Sequence, residues 1–429
     1  MKNLFKNIIV AILSWEAKLL LHRTKPKVIG ITGSVGKTST KDAIYAVLKD
    51  HVRARKSEKS FNSEIGVPLS VLGWPNAWSN PVLWLKNIID GFFIALHPGD
   101  YPEVLILEMG VDRPGDMDWL MSWIQPDIVV LTRLPDVPVH VEYFATPEAV
   151  IEEKRVLVDA LKTDGVLVYN QDDEQVKQIA KSIHQQAIGY SRYSLSQFTA
   201  SSDKVIYEKG QAKALEFTLT HLDKASLMYV QGSLGVQHAY NYAAAAAVGS
   251  LFDISIESAT KSLREHLPPA GRMRLIPGIK ETTILDDTYN SSPVACERAL
   301  QTLKELKGVK RRIAVLGDML ELGQYSVREH ERMGQLAAKT ADVLITVGVR
   351  SRGIARGALE NGLPEEFIFQ YEEVGRAGRE LQEMLKPGDM VLVKGSQSIR
   401  LEKLVEEIMA EPEKASEYLV RQSHQWKNR

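Results

Sequence analysis

"GITGSVGKTST" runs from Gly30 to Thr40, where the short, β-branched stretch "PKVIGIT" (26–32) gives way to "GKTSTKDAIYAVLKD" (36–50). A strand that enters a glycine-rich turn and leaves it as a helix is an arrangement that holds phosphate. Glycines let backbone N–H groups close around the oxygens, and the helix N-terminus favours an anion. Lys37 can neutralise the β/γ charge and the Thr38 hydroxyl can hold Mg²⁺. The strict phosphate-loop pattern wants glycine five residues before the Gly-Lys pair, and Ile31 stands there; glycines at 30, 33 and 36 supply the flexibility instead. Nucleotide contact is therefore expected from Gly33, Ser34, Val35, Gly36, Lys37, Thr38 and Ser39.

Outward from this loop, strands are expected at "EVLILEMG", "DIVVLTRL" and "GVLVYN", each running into a loop or helix. That alternation predicts a mostly parallel sheet with helices on its faces. Between Ala200 and Gly232 the pattern becomes polar and alternating, which predicts antiparallel strands on the flank of the same domain. "NYAAAAAVGSLFDI" reads as a small-residue helix suited to close packing. "LPPAGRMRLIPG" (267–278) has the character of a hinge or linker, and beyond it the alternation restarts with "TILDDTYN", "RIAVLGDM", "VLITVG" and "MVLVKGS". The expected fold is α/β: a P-loop central domain with a mostly parallel sheet, plus a Rossmann-like C-terminal α/β domain. The expected boundaries are 1–26 for an amphipathic N-terminal helix, 27–268 and 269–412 for the two domains, and 413–429 for a charged helical tail.

The chain has 429 residues, 53 basic against 54 acidic. That balance gives no sign of a nucleic-acid partner. The single cysteine, Cys296, excludes an intrachain disulfide and a cysteine-based metal site, and points to a reducing compartment such as the cytoplasm. The apolar N-terminus is interrupted by Lys6, Asn7, Glu16 and Lys18, too often for a span of ~20 apolar residues. Phe5, Ile8, Ile12, Trp15 and Leu19 recur at helical spacing. This predicts a helix that either packs on the next domain or lies at the inner face of the membrane through residues 1–21.

Further candidates are single residues. Glu108 ends the "EVLILE" strand on the edge where parallel sheets bind ligands, and is a hard oxygen ligand suited to Mg²⁺. His140 follows the "DIVVLT" strand. Lys154 sits two turns into a helix opened by Thr146-Pro147-Glu148.

Taken in order, "GITGSVGKTST", "FNSEIGVPLSVL", "EMG", His140 with Lys154, "GRMR", "LDDTYNSSP", "LGDMLELG" and "VKGS" closely resemble the Mur ligases, the ATP-dependent amide-forming enzymes of peptidoglycan precursor synthesis. The likeness spans about residues 27–405. "IGVPL", "DDTYNSSP" and "LGDMLELG" most resemble the branch that adds D-alanyl-D-alanine to UDP-N-acetylmuramoyl-tripeptide. The resemblance implies a monomeric ligase using ATP and two Mg²⁺ ions and working through an acyl phosphate, on a UDP-N-acetylmuramoyl-peptide carboxylate and an amino acid or dipeptide. It implies Thr38 and Glu108 at one Mg²⁺, and His140 with a carbamylated Lys154 at the second. Asn62 would meet the γ-phosphate region, Asn241 the adenine, Arg272 a phosphate and Asp287 the ribose. Tyr289, Asn290, Lys394, Gly395 and Ser396 would line the cleft on the acceptor side. Lys37, His140 and Lys154 would form the catalytic set.

Two departures matter. "GVQHAYN" puts Gln237 at the usual His position and His238 at the usual Asn position. Enzymes of this type also carry an N-terminal domain for the UDP-sugar, whereas here only the helix precedes the glycine loop. The UDP-sugar would be held by another surface, be lacking in the substrate, or be presented at a membrane. The Trp-rich stretch 73–103 is either a substitute docking surface or a helix packed over the sheet edge. Two alternatives keep the fold: a ligase adding an amino acid to another carboxylate, as in folate polyglutamylation, and a non-catalytic nucleotide-binding homologue.

Overall fold

Alternate residues of the first apolar strands feed two separate cores, one on each side of a single sheet. The computed structural model describes residues 2–58, 61–78, 80–423 and 426, with side chains described from residue 6 onward. The first sheet contains β1 (Lys27–Thr32), β2 (Ala54–Lys56), β3 (Val104–Glu108), β4 (Ile128–Leu131), β5 (Val166–Asn170), β6 (Gln186–Ser191), β7 (Phe198–Glu208), β8 (Gln211–His221) and β9 (Lys224–Gln231). Its order is β2-β3-β1-β4-β5-β6-β7-β8-β9, parallel as far as β7 and antiparallel beyond.

The helices of this half are α1 (Lys2–Thr24), α2 (Lys37–Leu48), α3 (Gly66–Leu72), α4 (Pro81–Leu96), α5 (Asp116–Met121), α6 (Pro147–Asp159), α7 (Glu174–Ser182), α8 (Gln237–Ser250) and α9 (Ile256–Arg264). Ile29, Ile31, Ile106 and Val130 pack against α2, α8 and α9. Their strand neighbours Val28, Leu105, Leu107 and Val129 pack against α1, α3 and α6. Burying each such side chain contributes roughly 1.5–3 kcal/mol. The alanine run of α8 lies wholly inside.

The second sheet is β10 (Arg274–Gly278), β11 (Thr282–Asp287), β12 (Arg311–Gly317), β13 (Val343–Val347), β14 (Ile368–Tyr371) and β15 (Asp389–Lys394). Its order is β10-β11-β15-β12-β13-β14, with only β10 antiparallel. Helices α10 (Pro293–Glu305), α11 (Ser326–Ala338) and α12 (Arg352–Glu360) cover one face. Helices α13 (Val374–Met384) and α14 (Glu402–Ile408) cover the other. The two halves share apolar contact, since Ala212 and Leu234 join the core of Leu285 and Leu300. The Lys307 amide donates to the Tyr207 hydroxyl at 2.8 Å.

Three expectations need correction. The hinge assigned to 267–278 is shorter, because Arg274–Gly278 forms β10. Pro277 is tolerated there because β10 is an edge strand, where a missing N–H costs no ladder bond. The tail is not one helix. It is a 3₁₀ turn at Pro412–Lys414, the single turn α15 (Ala415–Tyr418) and an irregular return over the second domain; residues 424, 425 and 427–429 lie outside the described residues.

The third correction concerns α1. The helix buries Ile9, Leu13, Ala17 and Leu20, while Ile8 and Trp15 face solvent and Ile12 and Leu19 are only partly covered. Phe5, the remaining member of the expected stripe, has a side chain outside the described residues. Two apolar stripes share this helix, so periodicity alone could not choose between them. The stretch 73–103 supplies α4, which crosses α1 at Gly91, where a β-carbon would come within 2.2 Å of Glu16 Oε2. Glu16 is buried and its Oε2 has no partner.

Burial raises the Glu16 carboxyl from 4.5 to about 7. A carboxyl raised in this way contributes its full stability below the unfolded value, and that contribution is lost as pH rises through about 7. Glu16→Gln is expected to recover about 1–2 kcal/mol at pH 8, after discounting for solvent screening, and almost nothing at pH 4. Urea unfolding at the two pH values checks this; equal gains at both would contradict it.

Candidate active site

Gly33 and Gly36 are required by their geometry. Their φ angles are 134° and 92°, and a β-carbon on Gly33 would lie 2.0 Å from Thr132 Oγ1. The Ser34 amide donates to the Arg133 carbonyl at 2.8 Å, which pins the loop to the end of β4. Val35 bridges the same residue, and Thr38 and Ser39 are buried in the first turn of α2. Lys37 curls back, its Nζ donating to the Gly33 carbonyl at 2.9 Å.

Beneath the loop, buried Asn241 accepts from Thr40 Oγ1 at 3.0 Å, and its amide Nδ2 has no protein partner. His238, where the family has asparagine, is buried and contacts Ser233 Oγ at 2.7 Å. Burial pushes its imidazole down to about 4, so it is a neutral core group.

Glu108 stands at the end of β3, paired with Ile31 of β1. It is buried, and Lys41 Nζ lies 3.7 Å from its Oε2. Asn62 Nδ2 reaches its other oxygen at 3.5 Å. Lys154 is buried and its Nζ has no partner. Burial, reinforced by the Lys37 charge, pushes the Lys154 ammonium down to about 7. Burial also lowers Lys37, with Glu108 and Asp112 opposing and Arg272 of the second domain assisting. Lys37, Glu108, Asp112, Lys154 and Arg272 are thus one electrostatic group. Glu153 also opposes the shift of Lys154, so three cations meet three acids there.

His140 has φ 74°. Its Nδ1 lies 2.8 Å from Glu321 Oε2 and its Nε2 lies 3.6 Å from Asp112 Oδ1. The His140 ring beside it holds the Glu321 carboxyl below the usual range. Glu321 belongs to the second domain, so His140 sits where the two domains meet.

From the second domain, Arg272 lies over the Tyr289 ring, 4.0 Å from its centroid. Asp287 Oδ1 accepts from the Met273 amide at 3.2 Å, and Oδ2 accepts from Lys394 Nζ at 2.6 Å. Lys394 also donates to the Asn290 carbonyl at 2.9 Å. The Ser396 hydroxyl accepts from the Leu320 amide at 2.9 Å, and Gly395 is packed close against Gly317. Lys394, Gly395 and Ser396 are therefore turned into the protein rather than lining a cleft, because the buried ammonium needs the Asp287 carboxylate. "GRMR", "DDTYN" and "KGS" are joined in one knot.

Sequence reasoning missed Lys41, Asp112, Glu321 and Arg421. Lys41 carried a signal, as a cation one turn beyond Lys37. Arg421 carried none. It returns from the tail to donate to Glu402 Oε2 at 2.9 Å and to the Thr288 and Tyr289 carbonyls. Among the described residues no three His, Cys, Asp or Glu side chains are set to hold a metal ion. A Mg²⁺ held jointly with phosphate oxygens needs only one or two protein carboxylates. Glu108 Oε2, buried and hydrogen-bonded to nothing although Lys41 Nζ lies 3.7 Å away, can supply one such carboxylate oxygen.

Comparison with known proteins agrees with this geometry. The Mur ligase middle domain matches residues 31–83 and 89–249, and the Mur ligase glutamate ligase domain matches residues 271–397. The UDP-N-acetylmuramoyl-tripeptide–D-alanyl-D-alanine ligase of Bacillus subtilis (strain 168) is 30% identical over 400 residues, which is 92% of this chain and 79% of that one. The crystal structure of MurF ligase from Thermotoga maritima in complex with ADP matches with a TM-score of 0.77 at 24% identity, covering 94% of this chain and 84% of that one. Mycobacterium tuberculosis folylpolyglutamate synthase complexed with ADP matches at 0.62 and 14%, covering 90% and 92%. Both structures speak to the fold alone. The chain belongs to the Mur ligase family.

Removing one partner of the buried Lys394–Asp287 pair leaves the other charge uncompensated. Lys394→Met is expected to cost about 3–5 kcal/mol, and the double change Asp287→Leu with Lys394→Met to restore most of that. Denaturant unfolding of the three proteins checks it; a single change without cost would contradict the pairing.

Proposed function

We propose that this Mur ligase is an ATP-dependent peptide ligase that adds D-alanyl-D-alanine to a UDP-N-acetylmuramoyl-tripeptide in peptidoglycan precursor synthesis. One observation carries the reading. Lys37 of the phosphate loop and buried Lys154 lie within one another's field together with Arg272, Glu108, Asp112 and Glu153, yet Lys37 donates only to a loop carbonyl and Lys154 Nζ has no hydrogen-bond partner. Two such ammonium groups call for anionic oxygens. The choice of substrates follows relatives of that name at 30% identity, whereas the likeness to folylpolyglutamate synthase is one of fold.

The chemistry has two steps. A carboxylate oxygen of the acceptor attacks the γ-phosphorus in line, and the bond from that phosphorus to the β–γ bridging oxygen breaks. ADP and an acyl phosphate result. The amine nitrogen of the dipeptide then attacks the acyl carbon, loses a proton and expels inorganic phosphate. Lys37 leaves the Gly33 carbonyl to meet the β/γ-phosphates, with Asn62 beside it and Arg272 on a second phosphate. Asn241 offers its unpartnered Nδ2 to the adenine. Asp287 keeps lone pairs for a ribose hydroxyl beyond the two bonds it makes. Tyr289 and Asn290 face the acceptor side.

Thr38 and Glu108 would hold one Mg²⁺; His140 and a carbamate on Lys154 would hold the second. Magnesium there supplies neutralisation of the crowded phosphate oxygens. A buried amine without a partner can take up carbon dioxide, which turns a repelling cation into an anionic ligand. The domains at 27–268 and 269–412 divide the labour, and their closure at His140 and Glu321 excludes the water that would hydrolyse the acyl phosphate. We place a monomeric enzyme in the cytoplasm, in peripheral contact with the membrane through its N-terminal helix.

A phosphate-release assay with ATP and Mg²⁺ tests the reading. Release is expected only when UDP-N-acetylmuramoyl-tripeptide and D-alanyl-D-alanine are both present; release with a non-UDP acceptor alone overturns it. Lys154→Ala is expected to lose most activity and to regain part of it with an added short-chain carboxylic acid. Full activity of the unaided variant would remove the carbamate.

A further inference from the structure

Helices α1 and α4 lie side by side and leave a joint apolar surface open. Trp15 is 54% exposed, Leu85 59% and Phe93 61%, with Ile8, Ile89 and Phe92 between 43% and 49%. Trp15 and Phe92 stack at 6.3 Å between ring centroids. Between the helices runs an open groove of about 560 Å³, lined by Ala11, Ile12, Trp15, Ile88, Ile89 and Phe92. The buried Glu16 carboxyl also lines this groove.

Contiguous aromatic surface of this kind is costly in water and marks a docking face. The charges at its edges decide what docks. Among the described side chains of α1 the exposed charged ones are Lys6, Lys18 and Arg23, and the one acid, Glu16, is buried. Lys6 is paired with Glu64. On α4, Lys86 is exposed beside Leu85, and Asp90 is the only acid. An apolar face carrying Trp and Phe with lysines at its margin matches an interfacial helix on anionic lipid. No helix among the described residues is long and apolar enough to cross a membrane.

We infer that α1 and α4 together form a peripheral membrane-docking face whose occupant is an anionic lipid bilayer, with Trp15, Phe92 and Phe93 at the acyl boundary and Lys18 and Lys86 on the headgroups. This gives the membrane contact of the N-terminal helix a second helix and a lipid class. It does not depend on which substrates the ligase joins. The position has a consequence for the reaction. Asn7 and Val10 of the same helix line a second, polar cavity of about 280 Å³ together with Asn62, Gly110 and Asp112. One helix diameter, about 10 Å, therefore separates the lipid face from the cavity beside Asn62 and Asp112.

Flotation of the full chain with phosphatidylglycerol–phosphatidylcholine vesicles, and with phosphatidylcholine alone, tests this. Binding is expected to the anionic vesicles and to weaken steeply with salt. Lys18→Glu with Lys86→Glu is expected to lower affinity by more than tenfold, since each lysine near the surface is worth about fivefold. Trp15→Ser with Phe93→Ser is expected to abolish flotation while leaving the circular-dichroism melt and ATP-dependent phosphate release unchanged. No flotation of the parent chain, or flotation that the serine variant retains, overturns the inference. So does a parent chain that sediments as a dimer while the serine variant sediments as a monomer, which would make the face a contact between copies. Loss of ligase activity on the expected substrates would leave the flotation result standing, so the two readings fail separately.

Discussion

Ammonium groups held out of water without a carboxylate in hydrogen-bond contact are the constraint around which this molecule is arranged. Lys37 half-buried, Lys41 and Lys154 buried, and Arg272 approaching from the second domain answer to Glu108, Asp112 and Glu153. Lys37 donates only to a carbonyl of its own loop, and Lys154 Nζ has no hydrogen-bond partner. Desolvation penalises each ammonium, and their mutual repulsion adds to it. A nucleotide bearing several charged oxygens would relieve all of these at once.

The second domain takes part in this balance because its own charges are already spent. Asp287 is committed to Lys394 and to the Met273 amide, so it adds little negative charge to the cluster. What it does is hold Arg272 and Tyr289 in register, since "GRMR" and "DDTYN" are tied through that carboxylate. Arg421 from the tail fixes the same loop from the other side through the Thr288 and Tyr289 carbonyls. The cation that reaches across to the phosphate loop is therefore presented by a rigid knot, and His140 with Glu321 marks the place where the knot meets the first domain.

How much of this was legible in the sequence depended on distance along the chain. The strands β1, β3, β4, β5, β11, β12, β13 and β15 were readable because each is a local run of apolar, mainly β-branched residues next to a turn. The places of the glycine loop and of Glu108, at strand ends on one edge of a parallel sheet, followed from local glycine spacing and from the apolar runs before them. The edge strands β2 and β10 were not readable, since "ARK" and "RLIPG" lack an apolar run and are fixed by pairing with β3 and β11. The Lys394–Asp287 pair joins residues 107 positions apart. No local pattern announces such a pair, and so Lys394 was read as a cleft residue when it is a buried counter-ion.

The N-terminal helix shows the same limit in another form. Its stripes at 9, 13, 17, 20 and at 8, 12, 15, 19 are both apolar and both helical in period, so the sequence permits either to face the core. Packing decides through size and shape. Leu13, Ala17 and Leu20 nest against α3 and the sheet, while Trp15 is too large for the narrow crossing with α4, where even a β-carbon on Gly91 would strike Glu16. Burying one stripe necessarily exposes the other. A helix with only structural work to do would carry polar residues there, as α7 does with Lys177 and Lys181. Here α1 and α4 instead turn aromatic side chains outward at the same place, above the buried Glu16 carboxyl. Water is a poor occupant for that surface.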